Sequence, residues 1–403
     1  MQNKKICVIG LGYIGLPTAA LLANKNHQVW GVDINEKVVE VINNGKIHIV
    51  EPDLDKFVEK AVDSKNLVAG VAPNFSDVFI IAVPTPFHEG NVPNIDYVIA
   101  ATKSIIKYIR PGNIIILEST SPIGTTRKIA DILEENGVDT SLIYIAHCPE
   151  RVLPGNVMNE LINNDRIIGG LNKESTDIVS SFYKTFVKGE VISTDAETAE
   201  LCKLAENSFR DLNIAFANEL SMICDKSNIN VYELIKLANR HPRVNILNPG
   251  PGVGGHCIAV DPWFIVSEFP EESKLIKQAR KTNDQKISWV IDKIKNECIK
   301  FEDKNKLKPK IAIMGLAFKP NIDDLRESPS LKIASTLKEM SNIFDQIYFI
   351  EPNIISHENY KISEYSNIEE NVDILIFLVA HNKFKELNIN KKVILDFCGV
   401  SQI

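Results

Sequence analysis

An apolar run, KICVIGL at residues 5–11, leads directly into Gly10-Leu11-Gly12-Tyr13-Ile14-Gly15. Glycines at this spacing let a strand turn tightly into a helix and bring bare backbone up to a pyrophosphate at the positive end of that helix. Glycine turns join many strands to helices, so the motif gains force only from its neighbours in the chain. A second apolar run, HQVWGVD at residues 27–33, ends on Asp33, about 20 residues on, where a carboxylate bonds ribose hydroxyls. That carboxylate would repel a 2′-phosphate, and no arginine lies closely beyond it. The expected cofactor is therefore NAD rather than NADP.

Further apolar runs, DVFIIAVP (77–84), NIIILEST (113–120) and LIYIAHCP (142–149), alternate with helical periodicity. Strands this apolar are buried on both faces, so residues 1–195 are expected to form a Rossmann-type, doubly wound parallel sheet that binds NAD. Ligands bind beyond the carboxyl ends of such strands, which makes Thr85 and Thr120 candidate cofactor neighbours. From Thr198 to Lys226, the residues Leu201, Leu204, Leu212, Phe216, Leu220 and Ile223 recur at helical spacing. Helical pattern continues at 231–238 and from Glu271 to about Phe301, so residues 196–301 read as a helical connector. The charged stretch FEDKNKLKPK reads as a linker. KIAIMGLAF, a helical segment at 328–340, QIYFI, DILIFLVA and KKVILDF then predict a smaller Rossmann-like α/β domain over residues 309–403.

The net charge of −7, with Lys and Arg scattered along the chain, argues against nucleic acid and anionic membrane as partners. No apolar run approaches the roughly 20 residues of a membrane span. The start, MQNKKICVIG, enters the strand pattern without an apolar signal region, so a cytoplasmic location is expected. Seven cysteines, an odd number and widely spaced, suggest reduced thiols rather than a disulfide framework. With no Cys pair at zinc-site spacing and no clustered histidines, no metal is expected.

The densest peculiarity is HPRVNILNPGPGVGGHCIAVDPWF at residues 241–264. Prolines and glycines from Pro249 to Gly255 preclude helix and central strand, and let backbone wrap closely around a ligand. Cys257 comes directly after them, with Asp261 four residues on. Most cysteines are buried structural residues, the reading applied to Cys7, Cys202, Cys224 and Cys298. A thiol presented by a glycine-rich loop near a helix end or a cation is instead a candidate nucleophile. Lys203, Asn207 and Arg210 share one face of the long helix by their spacing, as a solvated face or as oxyanion-stabilising groups.

At these motifs the chain resembles the UDP-sugar 6-dehydrogenases, the relatives of UDP-glucose dehydrogenase. The resemblance runs through GLGYIGLPTA, VDIN, IVEPDL, VPTP, ESTSPIGTT, CPERVLPG, AELCKLAENSFRD, HPRVNILNPGPGVGGHCIAVDPWF and GLAFKPNIDDLRESPS, in family order. Within the family, CPERVLPG and the Gly-rich segment point to the branch acting on UDP-N-acetylmannosamine, with UDP-N-acetylglucosamine and UDP-glucose as alternative substrates. The resemblance implies an NAD-dependent four-electron oxidation with Cys257 as nucleophile. Lys203 and Asn207 would stabilise oxyanions, Asp261 and Thr120 would sit near the reacting alcohol or its water, and Glu150 would serve thioester hydrolysis. Gly10, Gly12, Tyr13, Ile14, Gly15, Asp33, Thr85, Thr126 and Arg326 would meet the cofactor, Arg326 touching cofactor or substrate. Arg151, Val152, Lys203, Asn207, Arg210, His241, Arg243, Gly254, Phe318 and Lys319 would line the UDP-sugar site. It further implies a homodimer through the long helix, with His241 and Arg243 reaching the neighbouring subunit's site. Two positions depart from the pattern: Cys398 stands near a basic position of many relatives, and Pro154 stands in the region of the glucose enzymes' second acid. A two-electron hydroxyacid dehydrogenase would share the Rossmann domain and the Lys and Asn, but has no use for Cys257. A non-catalytic NAD-binding regulator would need none of Cys257, Lys203, Asn207 and Glu150.

Overall fold

The computed structural model describes residues 3–153, 155–255, 257–340, 342–367, 369–387, 389 and 392–400. The chain divides into two compact units, residues 1–205 and 206–403. In the first, strands and helices run β1 (Lys5–Ile9), α1 (Gly15–Asn24), β2 (Gln28–Val32), α2 (Glu36–Asn43), α3 (Leu54–Asp63), β3 (Leu67–Gly70) and β4 (Val78–Ile81). A small hairpin, β5 (Phe87–His88) with β6 (Val92–Pro93), precedes α4 (Asp96–Ile105), β7 (Ile114–Leu117), α5 (Thr125–Glu135) and β8 (Tyr144–His147). Then come α6 (Val157–Asn163), β9 (Arg166–Gly170), α7 (Lys173–Tyr183), β10 (Val191–Asp195) and the long α8 (Ala196–Lys226), which carries the chain into the second unit.

The main sheet has the order β10-β9-β8-β7-β4-β1-β2-β3. Its β3-β2-β1-β4-β7-β8 portion is the strand order of a dinucleotide-binding fold, with the order reversing between β1 and β4. Strands β1, β4 and β7 are almost wholly buried because apolar layers cover both faces. Helix α1 packs on one face through Leu16, Ala19, Ala20 and Ala23, small residues that let it approach the strands closely. One pair departs from the expected parallel sheet: β8 and β9 are antiparallel, with Ala146 opposite Gly170. The chain leaves β8 as an irregular segment and has only the short α6 before β9, so it re-enters the sheet from the end it left. Strands β3, β9 and β10 are not among the apolar runs, being short or partly exposed.

The second unit holds the rest of α8, then α9 (Val231–Ala238), α10 (Asp261–Glu268) and α11 (Lys274–Asn305). Helix α11 corrects the linker expectation. Residues 301–305 continue the helix, because Glu, Asp and Lys on an exposed face cost a helix little. It ends at Lys306, whose φ of +60° is left-handed. Beyond it lie β11 (Lys310–Met314), α12 (Pro329–Glu339), β12 (Gln346–Ile350), β13 (Ile374–Phe377) and β14 (Val393–Asp396), in a parallel sheet of order β12-β11-β13-β14. Ser328 caps α12 by accepting the Leu331 N–H, and Pro329 opens it.

This sheet repeats the opening of the first. Gly315 has a φ of +98° and donates its N–H to Ile350 O at 2.8 Å, while Gly10 has a φ of +90° and donates to Val32 O at 2.8 Å. Leu316 N–H meets Glu351 at 2.8 Å as Leu11 N–H meets Asp33 at 3.2 Å. The second glycine of the first turn, Gly12, has buried Ala317 as its counterpart, and Glu351 is sealed behind the buried His381 ring at 3.1 Å. Burial alone would raise the Glu351 carboxyl; the His381 ring and the Leu316 and Ala317 amides hold it below its ordinary value. Among the described residues no helix is long and apolar enough to cross a membrane.

Candidate active site

In the first unit, the glycines of the β1–α1 turn divide by function. A Cβ on Gly10 would lie 2.5 Å from Ala82 O, and one on Gly15 only 1.8 Å from Gly10 O, so the turn's own packing demands both. A Cβ on Gly12 would meet nothing within 4 Å. That open side, at the N-terminus of α1, has room and exposed amides for a pyrophosphate. Asp33 is half-buried and accepts from Leu11 N–H at 3.2 Å and Asn35 N–H at 2.9 Å, which fixes its carboxylate beside the turn. Tyr13 packs against the core and Ile14 leads into α1. These residues fit NAD. Gly12→Ala is expected to leave the melting temperature nearly unchanged while weakening NAD binding about tenfold or more, through a methyl group in the pyrophosphate's space. Gly15→Ala is expected to lose soluble folded protein altogether. Calorimetric titration of NAD into Gly12→Ala with unaltered affinity would refute this assignment.

The β4 and β7 exits are tied together. Thr85 donates its hydroxyl to Thr120 O at 2.7 Å, and Ser119 donates to Val83 O at 2.7 Å. Thr126 is placed otherwise than expected. It is fully buried, with its N–H (2.7 Å) and hydroxyl (2.6 Å) both on Glu200, which also accepts Gly124 N–H at 2.6 Å. Its hydroxyl therefore fastens the start of α5 to α8 and does not face a cofactor. Glu200 lies one turn before half-buried Lys203, so the same carboxylate ties Lys203's helix to the segment following Thr120. In the sequence Glu200 is one charged residue among several in AELCKLAENSFRD, and nothing in its spacing marks this role.

Glu150 is buried, its Oε2 accepting from Arg166 at 2.7 Å and its Oε1 from Arg151 N–H at 2.6 Å. Arg166, also buried, donates as well to Leu161 O at 3.2 Å. A second buried carboxylate, Glu118, accepts from the Tyr183 hydroxyl at 2.6 Å and from Thr18 at 3.4 Å. Burial first, then the charge of Glu150, push the Glu118 carboxyl up to about 7 against the pull of Tyr183, Arg166 and Thr18. The segment after Glu150 is fastened at its far end by Glu51 of IVEPDL, which accepts Gly155 N–H at 2.9 Å and Val157 N–H at 2.8 Å. Sequence does not single out Glu51, Glu118 and Arg166, because a buried charged residue has no signature in composition or spacing. Arg151 is half-buried with Nη1 on Asp165 O at 3.3 Å, and Val152 packs against the core. Pro154 lies outside the described residues.

In the second unit, Asn207 donates its side-chain amide to Asp261 at 2.5 Å, both residues being buried. Asp261 N–H in turn donates to Cys257 O at 2.8 Å, so Cys257 sits in the turn that opens α10. Cys257 is half-buried. By contrast Cys7, Cys148, Cys224 and Cys298 are buried, and burial pushes the Cys7 and Cys298 thiols up to about 12. The loop before Cys257 is tightly seated. A Cβ on Gly254 would lie 2.6 Å from Glu327 O and 2.8 Å from the Phe318 Cβ, and one on Gly255 2.9 Å from the Phe318 ring. Gly255, with a φ of +82°, donates its N–H to Arg326 O at 3.1 Å. The glycines therefore permit contact between the Cys257 loop and the GLAFKPNIDDLRESPS segment, joining motifs far apart in sequence. His256 lies outside the described residues.

Phe318 and Lys319 are half-buried, and Arg326 makes an ion pair with Asp324 at 2.6 Å. Arg210, His241 and Arg243 are exposed. Asn239 braces the loop that carries His241 and Arg243, accepting Ile246 N–H at 2.7 Å and donating to Ile246 O at 3.0 Å. At Cys398 the backbone N–H donates to Asp396 at 3.1 Å, and burial holds its thiol well above the ordinary range.

Residues 4–187 match the NAD-binding domain of the UDP-glucose/GDP-mannose dehydrogenase family, residues 197–285 its central domain, and residues 312–402 its UDP-binding domain. The chain is 54% identical to the UDP-N-acetyl-D-mannosamine dehydrogenase of Campylobacter jejuni, over 98% of this chain and 100% of that protein. It is 48% identical to an NDP-N-acetyl-D-galactosaminuronic acid dehydrogenase of Ralstonia nicotianae, over 98% of this chain and 96% of that protein. Among solved structures, the UDP-D-ManNAc dehydrogenase of Pyrococcus horikoshii matches with a TM-score of 0.89 and 37% identity, over 98% and 96% of the two chains.

Proposed function

Since the chain belongs to the UDP-glucose/GDP-mannose dehydrogenase family and is an NAD-dependent UDP-sugar dehydrogenase, we propose that it oxidises UDP-N-acetyl-D-mannosamine to UDP-N-acetyl-D-mannosaminuronate. The observation that carries this reading is Cys257. It is half-buried at the head of α10, bonded through Asp261 to Asn207, and preceded by a glycine loop packed on Phe318.

NAD held at the β1–α1 turn by the open side of Gly12 and by Asp33 would supply the hydride acceptor for both oxidations. The chain's residues handle protons, covalent capture and charge. In the first oxidation the sugar's primary alcohol gives its hydroxyl proton to a base or base-linked water near Asp261 and Thr120 as its carbon loses a hydride, and an aldehyde results. The Cys257 thiolate then adds to the aldehyde carbon, and Lys203 and Asn207 hold the oxygen of the thiohemiacetal. Loss of the second hydride leaves a thioester on Cys257. Water adds to the thioester, the C–S bond breaks, and carboxylate and thiol result. Glu150 has both oxygens engaged by Arg166 and the Arg151 amide, and its remaining lone pairs suit it to orienting that water.

The protein acts in this reading as a cytoplasmic homodimer. Phe209, Phe216 and Ile223 stand exposed at seven-residue spacing along α8, 67%, 52% and 53% accessible, an apolar stripe that a second copy's α8 would cover. Supplied with UDP-N-acetylmannosamine, UDP-N-acetylglucosamine, UDP-N-acetylgalactosamine and UDP-glucose, the enzyme is expected to have its highest kcat/KM with the first. Two NADH should form per sugar. One NADH per sugar would overturn the four-electron mechanism in favour of a two-electron dehydrogenase, and preference for another sugar would overturn the substrate.

A further inference from the structure

We infer that Asn218 is a positioning residue for the nucleophile's loop, and that its amide is oriented by a buried relay running from Asp211 through Asn283. This rests on the reading of Cys257 as nucleophile. The relay lies wholly within the second unit. Asp211, Asn218 and Asn283 have no accessible surface. Asn283 donates its side-chain amide to the Asp211 carboxylate at 2.7 Å and to Asp211 O at 3.1 Å. Asn218 donates to the Asn283 carbonyl oxygen at 2.9 Å. The carbonyl oxygen of Asn218 then accepts the backbone N–H of Gly250 at 2.9 Å.

The chain of bonds has only one self-consistent direction. An ionised carboxylate accepts and cannot donate, so Asp211 compels Asn283 to present its NH2 to it. The Asn283 oxygen must then face Asn218, whose NH2 is drawn to it, leaving the Asn218 oxygen for the loop. Burial raises the Asp211 carboxyl above its ordinary value, and Arg280, bonded to the same Asp211 oxygen at 2.6 Å, pulls it back toward the ionised form and itself requires that oxygen to accept. Were either amide turned over, Asn218 would set an NH2 against the Gly250 N–H, two donors face to face. Gly250 lies at the upstream end of the Pro-Gly loop, whose further contacts include the Asn283 backbone oxygen, 3.3 Å from where a Cβ on Gly252 would lie, the Arg326 oxygen that accepts Gly255 N–H, and the Phe318 ring at Gly255. Asn218 thus supplies the polar fastening at the loop's upstream end. A loop so rich in glycine has little stiffness of its own. From Asp211 Oδ1 to the Gly250 amide each donor meets an acceptor, and a buried chain of bonds satisfied in this way favours one arrangement.

Three proteins test the relay: Asn218→Ala, Asn283→Leu, which removes the acceptor for the Asn218 amide, and Asp211→Asn, in which an asparagine oxygen held by Arg280 still accepts from Asn283. Hydrogen exchange at the Gly250 amide needs no substrate. It is expected to quicken at least tenfold in Asn218→Ala and Asn283→Leu, and to stay near the wild-type rate in Asp211→Asn. In single-turnover experiments with the UDP-sugar, the first NADH should appear at close to the wild-type rate. The second should be slowed about 10- to 100-fold in Asn218→Ala and Asn283→Leu, the scale on which a misplaced reacting group is penalised, and stay near the wild-type rate in Asp211→Asn. If either Asn218→Ala or Asn283→Leu does not fold, the other carries the same comparison with Asp211→Asn. Wild-type protection of Gly250 in folded Asn218→Ala or Asn283→Leu, or a loss of protection in Asp211→Asn equal to theirs, would overturn the relay. Equal slowing of both NADH phases would reduce it to a structural role. A wild-type enzyme giving only one NADH would instead defeat the reading of Cys257, and the Gly250 measurement would still stand.

Discussion

Cys257→Ser is expected to bind NAD and fold as the parent does, yet to produce no uronate at a rate within about 10³-fold of wild type, the scale seen when a covalent nucleophile is removed. The first oxidation needs only an alcohol, a base and a hydride acceptor. The second has no alkoxide to collapse until something adds to the aldehyde, and a serine hydroxyl at neutral pH is a much poorer nucleophile than a thiolate. Cys257 is half-buried in a loop rather than embedded in a core, so losing its sulfur leaves no large cavity. The measurement is NADH per UDP-sugar with direct detection of acid. Two NADH and uronate at near-parental rate from Cys257→Ser would remove the thioester from the mechanism.

The second large effect is expected from Arg166→Leu. Glu150 and Arg166 are both buried, and Glu118 stands close enough for its own titration to feel them. Removing the cation leaves Glu150 buried without its partner, a change that costs about 3–5 kcal/mol. For a unit of this size that lowers the melting temperature by roughly 10 °C. The same cluster sets a pH dependence through Glu118, which faces Glu150, Arg166, Tyr183, Cys148 and Thr18. Its folded value, about 7, lies above the ordinary 4.5, so the folded state holds that proton more tightly than the unfolded chain does. The resulting stabilisation is fully present below pH 4.5 and is lost as pH rises through 7, by about 3 kcal/mol in all. Glu118→Gln should flatten this part of the stability profile between pH 5 and 8. An unchanged slope in Glu118→Gln, or an Arg166→Leu protein as stable as the parent, would show that the cluster is not coupled in this way.

The cofactor half of the site is legible in the sequence because its constraints are local. A turn needing Gly10 and Gly15 for its own packing and Gly12 for open space writes itself into a short stretch, and Asp33 stands at the distance that one helix and one strand dictate. Cys257 is legible for a similar reason, since a run of Pro and Gly beside a thiol is unusual. Thr126 is not, because a hydroxyl near a strand end looks the same whether it faces a ligand or a buried Glu200. Residues 301–305 pass for a linker because charged residues suit an exposed helix as well as a loop.

By itself the sequence determined the alternation of strands and helices, the first glycine turn and the loop that offers Cys257, all set by backbone sterics and by periodicity within a few residues. Tertiary structure alone decided which buried polar groups serve them. It paired Glu150 with Arg166, turned Glu200 onto Thr126, reversed β9, sealed Glu351 behind His381, and aligned Asp211, Asn283 and Asn218 behind Gly250. The physical reason is that a charge or amide withdrawn from water must find its partner in space, and no spacing rule along the chain says which distant residue that partner is.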